Sequence, residues 1–198
     1  MSDSSPVAKT YFRDKFLADD YIRPLNHDLV WEIITKFHPR SVFEFGCGQG
    51  KNLALLLEEF GNLIVTDKAV GIDVSEYAIK KGRQSHPSLN SDSNHRISVG
   101  DEDTLVYMKS KSFDVSFTCS VLDHIEKEET IAEIINHLKR ISKQGVILYE
   151  TVVDNKQDIY YYPHDYDSYG FKRDPPDYAY VSNPGDGNTY SIWQWRRK

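Results

Sequence analysis

The sequence predicts an α/β fold: a doubly wound, mostly parallel sheet with helices on both faces and an antiparallel hairpin at its C-terminal end. Three observations carry this expectation. Apolar strand-like runs alternate with amphipathic helical stretches until five strands have been read. The first run passes directly into a glycine-rich turn and then a helix, in residues 41–53, "SVFEFGCGQGKNL". The tail then breaks the alternation, with strand-like "YAYVSN" and "TYSIWQW" joined by the turn signal "PGDG".

Each element has its own signature. In "NHDLVWEIITKF", Leu29, Val30, Ile33, Ile34 and Phe37 share one helical face, and Asn26 is placed to cap it. "SVFEF" reads as a buried strand, and "NLALLLEEFG" as a helix closed by Gly61. "AVGIDV" is the second strand. "SEYAIKKG" is the next helix, capped by Ser75. The polar run "RQSHPSLNSDSNH" reads mostly as loop. "RISV" and "SFDVSFTCS" are the third and fourth strands, with "GDEDTLVYM" between them. "ETIAEIINHLKRIS" is amphipathic through Ile131, Ile134, Ile135, Leu138 and Ile141, and "GVILYETVV" is the fifth strand.

The bulk numbers suit one soluble domain of 198 residues, with 39% hydrophobic and 27% charged residues. No apolar run reaches the length of a membrane span, and "MSDSSPVAK" lacks a signal-peptide layout, so a cytoplasmic protein with a short N-terminal tail is expected. Cys47 and Cys119 make no disulfide framework and read as small apolar fillers; no paired Cys/His spacing suggests a metal. The net charge of −6, with "WRRK" the only dense basic cluster, disfavours a nucleic-acid partner.

The glycine loop carries the first functional signal. One glycine would suffice for a tight strand-to-helix turn, yet Gly46, Gly48 and Gly50 stand at alternate positions. Such a loop lets backbone N–H groups approach a ligand at the carboxyl edge of a parallel sheet. The dinucleotide pattern G-x-G-x-x-G fails, because Lys51 holds its third glycine position. Glu44, two residues before the loop, suits a ligand with a positive end better than a pyrophosphate. Asp73, ending the second strand, suits the two hydroxyls of a ribose. Asp101, after the third, can accept a hydrogen bond from an exocyclic amine. Any one of these acids could instead be a helix cap.

"FEFGCGQG", "GIDVSEYAIKKG", "VGDEDTL" and "FDVSFTCSVLDHI" resemble, in order and spacing over Val42 to Glu150, the successive motifs of the class I S-adenosylmethionine-dependent methyltransferase superfamily. The resemblance implies a Rossmann-like seven-stranded sheet whose last two strands form a hairpin, and S-adenosyl-L-methionine as cofactor. It implies that the glycine loop holds the methionine portion, Asp73 the ribose and Asp101 the adenine. The expected cofactor-binding set is Glu44, Gly46, Cys47, Gly48, Gly50, Asp73, Val74, Asp101, Glu102, Cys119 and Ser120. Residues 41–150 would form the cofactor core, 1–25 a tail and lid carrying Tyr11 and Phe12, and 157–198 the substrate-facing segment and hairpin.

A hydroxyl or ammonium acceptor must lose a proton, so a general base is expected. His124 in "SVLDHI" is the first candidate, with a histidine satisfied by a backbone group as the alternative. Asp123 beside it could cap a helix, orient a histidine or act as a second base. In "IYYYPHDYDSYGF", His164 with Asp165 offers another base. Eight of the thirteen tyrosines lie between Tyr160 and Tyr190, part of them as core and part suited to a hydroxylated small molecule. "DPPD" resembles the proline-rich motif of amino-group methyltransferases, but that motif belongs after the fourth strand, where "TCSVLDHI" stands. The expected function is therefore methyl transfer to a small-molecule acceptor, at oxygen, without a metal. A protein or RNA methyltransferase and a non-catalytic binding module stay open as alternatives.

Overall fold

The computed structural model describes residues 26–58, 60, 67–90, 94–151, 162, 164–174 and 190–198. Helix α1 (His27–Phe37) precedes strand β1 (Ser41–Phe45), and α2 (Lys51–Glu58) follows the glycine loop. Then come β2 (Lys68–Asp73), α3 (Glu76–Ser85), a short 3-10 turn (Pro87–Leu89), β3 (His95–Val99) and α4 (Glu102–Val106). The chain continues through β4 (Phe113–Cys119), a second 3-10 turn (Leu122–His124), α5 (Glu128–Ile141), β5 (Ser142–Thr151), β6 (Lys172–Arg173) and β7 (Tyr190–Arg196).

The seven strands lie in the order β3-β2-β1-β4-β5-β7-β6. The first five are parallel, and β7 runs antiparallel to both β5 and β6. The chain leaves β1 toward β2 and β3 and later returns on its other side as β4. This reversal opens a crevice between the carboxyl ends of β1 and β4, where ligands settle in such sheets.

Why these segments become central strands is plain from burial. All of β1 and all of β4 are buried, as continuous apolar runs in a sheet covered on both faces require. At the edge, β3 buries only Ile97. One face packs α1, α2 and α3 through Leu29, Ile33, Leu53, Leu56 and Ile79. The other packs α5 through Ile131, Ile134, Ile135, Leu138 and Ile141, every one fully buried. At 1.5–3 kcal/mol for each buried side chain, those five contribute roughly 10 kcal/mol before chain entropy is counted.

The expected caps form: Asn26 Oδ1 accepts from Leu29 N at 3.0 Å, and Ser75 Oγ from Ala78 N at 3.1 Å. At the amino ends of β1 and β4, Asp114 Oδ2 accepts from the Arg40 and Ser41 backbone N–H groups, each at 2.9 Å.

Two expectations change. Helix α3 continues through Gly82 to Ser85, and Pro87–Leu89 forms a turn that buries Leu89, so part of the expected loop is ordered helix. The reason is packing: a Cβ on Gly82 would lie 2.3 Å from the Gln49 carbonyl oxygen. Glycine is there for close approach to the loop before α2, not to end a helix. Second, β7 takes Lys172–Arg173 as its outer partner, a short lysine-bearing edge of the kind that discourages further pairing. The expected hairpin arm at 178–183, the lid at 1–25 and the Gly61 cap lie outside the described residues.

Candidate active site

The glycine loop justifies its composition. Gly46, Gly48 and Gly50 all have positive φ, +72°, +54° and +75°, a backbone that side-chain-bearing residues avoid. A Cβ on Gly46 would lie 2.4 Å from Val121 Cγ2, and one on Gly50 2.6 Å from Leu89 Cδ1. The loop is hung from β2: Gly46 N and Cys47 N both donate to Ile72 O, at 2.8 and 2.9 Å. Cys47 turns into the space left by Gly71, so it is a buried filler. Burial first, and then the Asp73 and Glu44 charges, push its thiol well above the ordinary range, so it is no nucleophile.

Two carboxylates flank the loop. Asp73 Oδ2 accepts from Gly48 N at 2.7 Å and Oδ1 from Ser75 N at 2.8 Å, which locks loop, strand end and α3 together. Glu44 is buried at the end of β1, and its Oε1 accepts from Asn52 Nδ2 at 2.8 Å. The cradle is negative on two sides and suits a ligand portion bearing positive charge.

Further along the carboxyl edge, Asp101 caps α4, its N–H donating to Thr104 Oγ1 at 3.1 Å. Its neighbour Glu102 has Oε1 buried without a hydrogen-bond donor among the described residues. Val74 and Val99, at the ends of β2 and β3, are 40% and 53% exposed and give this edge an apolar surface. Val99, the register partner of Asp73, carried no signal in the sequence beyond ending a strand.

After β4 the chain makes a tight turn. Cys119 is buried, and Ser120 has φ +51° with its N–H donating to Tyr149 O at 2.8 Å. The turn is gripped from β5 by Glu150, a residue that sequence reading passed over. Glu150 Oε2 accepts from the Val121, Leu122 and Asp123 N–H groups at 3.0, 3.2 and 3.4 Å, and Oε1 meets Thr118 Oγ1 at 2.7 Å. Burial, and then the Asp123 charge, push the Glu150 carboxyl well above the carboxylate range. The available signal was an acid closing an apolar strand, "VILYE", the same signal that marked Glu44.

Asp123 and His124 lie on this turn, both buried. Asp123 Oδ2 accepts from Thr151 Oγ1 at 2.6 Å, and Asp123 Oδ1 stands 3.6 Å from His124 Nε2. That separation is too long for a direct hydrogen bond but close enough for charge to be felt.

His164 is placed differently. Its Nδ1 faces Glu128 Oε1 at 2.6 Å, and its Nε2 faces the carbonyls of Leu122 and Ile125 at 3.1 and 2.9 Å. Acceptors therefore face the ring from both of its nitrogens. It clamps the 164–171 segment onto α5 and the post-β4 turn. Tyr169 OH adds a bond to Glu128 Oε2 at 2.7 Å. Hydrogen bonds from His164 and then Tyr169 hold the Glu128 carboxyl below its usual range. Asp165 is exposed and caps the turn that follows, accepting from Asp167 N at 3.1 Å. Of the tyrosines, Tyr166 is buried edge-on against Trp193, and Tyr190 stacks on Tyr149 with ring centroids 5.2 Å apart; both serve as core.

Among the described residues no helix is long and apolar enough to cross a membrane, and no group of three or more His, Cys, Asp or Glu could hold a metal ion.

A family model described as a methyltransferase domain matches residues 43–148. No curated protein matches the sequence. Among solved structures, the magnesium protoporphyrin IX methyltransferase of Synechocystis PCC 6803 with bound SAH aligns with TM-score 0.64 at 17% identity, covering 96% of this chain and 100% of that one. A protein solved in work on the conversion of a disulfide bond into a thioacetal group during echinomycin biosynthesis gives TM-score 0.63 at 15% identity, over 98% and 93% of the two chains. The PH0226 protein of Pyrococcus horikoshii OT3 gives 0.57 at 16%, over 98% and 95%.

Proposed function

The chain belongs to the methyltransferase domain family, and on that premise we propose that it transfers a methyl group from S-adenosyl-L-methionine to a small-molecule acceptor, at oxygen. The observation that carries this reading is the cradle itself: three left-handed glycines, with the Asp73 carboxylate drawn into the loop by Gly48 N and Glu44 beside it. The cofactor supplies a methyl group already activated by a sulfonium. The protein's share of the work is alignment, exclusion of water and removal of a proton.

In this reading Gly46, Cys47, Gly48 and Gly50 bring backbone close to the methionine portion, and Glu44 offers negative charge to its positive end. Asp73, held in place by Gly48 N and Ser75 N, accepts from the ribose hydroxyls. Asp101 and Glu102 accept from the adenine amine, a role that suits Glu102 Oε1, which meets no donor among the described residues. Val74 and Val99 pack against its ring, while Cys119 and Ser120 close the site from β4. His124 is the proposed general base, with the Asp123 carboxylate orienting it and stabilising its charged form. His164, engaged at both nitrogens, holds the substrate-facing segment in place.

Three considerations support a small acceptor methylated at oxygen. The net charge is −6, and "TCSVLDHI" stands where an amino-group methyltransferase has its proline-rich motif. A structural neighbour of the same extent acts on magnesium protoporphyrin IX, itself a small molecule. Calorimetric titration with S-adenosylmethionine and S-adenosylhomocysteine, on wild type and Asp73→Ala, tests the cofactor half. Micromolar binding of both, at least tenfold weaker in the variant, is expected, and turnover on hydroxylated small molecules tests the acceptor. A well-folded wild type that binds neither cofactor sinks the reading.

A further inference from the structure

We propose that Glu150 is a positioning residue for methyl transfer: its carboxyl group fixes the turn Ser120–His124 against the glycine loop and so shapes the cofactor's site. This rests on the function proposed above. The turn must reverse the chain at the end of β4 within a few residues, and Ser120 adopts φ +51° to do so. Three successive N–H groups then point the same way with no helical acceptors of their own, as at the start of any helix. All three converge on Glu150 Oε2. Val121, the first of them, presses its side chain into the space that Gly46 leaves by lacking a Cβ, 2.4 Å from where that atom would sit. The grip on the backbone is therefore transmitted to the loop in one residue. The following residues are Asp123 and His124.

The chemistry of the grip is specific. Glu150 is fully buried, and Asp123 is bound to Thr151, the next residue of the same strand. Two carboxyl groups in one dry site resist ionising together, and burial, then the Asp123 charge, pushes the Glu150 carboxyl well above the ordinary range. Its partners are donors on both sides: Oε2 accepts from three backbone N–H groups, and Oε1 accepts from Thr118 Oγ1 at 2.7 Å. Two further titratable groups stand close by: His124, whose Nε2 lies 3.6 Å from Asp123 Oδ1, and Tyr166, whose hydroxyl is buried and raised by burial and then by the Glu150 and Asp123 charges.

The test compares Glu150→Ala, Glu150→Gln and a control, Ser142→Ala. Ser142 Oγ also makes buried hydrogen bonds, to Ser116 Oγ and Leu138 O, but at the opposite end of β5. Affinity for S-adenosylhomocysteine, thermal stability and amide exchange protection are measured for each. E150A is expected to bind at least tenfold more weakly and to lose protection at Val121, Leu122 and Asp123. E150Q, whose amide oxygen can still accept from the three N–H groups, keeps affinity within about twofold, since 1.4 kcal/mol would be needed for tenfold. S142A loses stability alone. If E150A loses stability but binds like S142A, the role is merely structural and the proposal fails. If E150A does not fold, E150Q still decides, because tenfold weaker binding by it overturns the hydrogen-bond account. A wild type that binds no cofactor overturns the proposed function instead. The exchange pattern, lost in E150A and kept in E150Q, then still judges the hold on the turn.

Discussion

Replacing Gly82 with alanine sets two effects of known size against each other. Gly82 lies inside α3, and alanine is better than glycine there by about 1 kcal/mol of helix propensity. By that argument alone the variant is more stable. The new Cβ, however, would lie 2.3 Å from the Gln49 carbonyl oxygen, 2.7 Å from its carbon and 2.7 Å from Ile97 Cδ1. Backbone stands on both sides of the worst contact, so no rotamer relieves it, and helix or loop must move by about 1 Å to restore ordinary separations. Overpacking of this kind costs about 1–3 kcal/mol or more, and the upper part of that range exceeds the propensity gain. The expected net is a loss of roughly 1–2 kcal/mol. At 2–4 °C per kcal/mol for a chain of this size, the melting temperature falls by about 2–8 °C. Because Gln49 sits between Gly48 and Gly50, affinity for S-adenosylhomocysteine should fall with it. Thermal melts and calorimetry on wild type and G82A read both quantities. A variant at least as stable as wild type, with unchanged affinity, would refute the claim that α3 is seated on the loop through this glycine.

Buried acids should give pH dependences of opposite sign. The folded value of Glu150 is raised above its ordinary 4.5, so its contribution is complete below the unfolded value and disappears as pH rises through the folded one. Wild type should therefore lose stability relative to E150Q across that rising window, and a constant difference in urea midpoints would contradict this. For Asp114, burial works upward but is outweighed by hydrogen bonds from Lys143 and Ser41, leaving the group below its ordinary 3.8. Its contribution is present above the unfolded value and lost as pH falls through the folded one, so the advantage of wild type over Asp114→Asn should vanish in acid. A gap that persists at low pH would count against it. His164→Ala leaves Glu128 and the carbonyls of Leu122 and Ile125 without their shared donor. It should cost about 1–3 kcal/mol and open residues 164–171 to hydrogen exchange. Unchanged protection there would mean the clamp holds nothing.

What could be read from the sequence was whatever a residue imposes on its own neighbourhood. Runs such as "SVFEF" and "SFDVSFTCS" must be buried on both faces, and a chain that alternates them with amphipathic helices has few ways to fold besides a parallel sheet. A backbone at positive φ is written as glycine, so the cradle is legible in Gly46, Gly48 and Gly50 themselves. Caps at Asn26 and Ser75 were visible for the same local reason. What only the tertiary structure decided depends on pairs far apart in the chain. Gly82 looked like a helix end until Gln49 was found against it, and Glu150 was one more strand residue until the turn after β4 converged on it. His164 looked like a free base until Glu128 and two carbonyls closed around its ring. A side chain's type states which bonds it can make; which of them it does make is settled by packing, because partners at such sequence separations meet only once the sheet has brought them together.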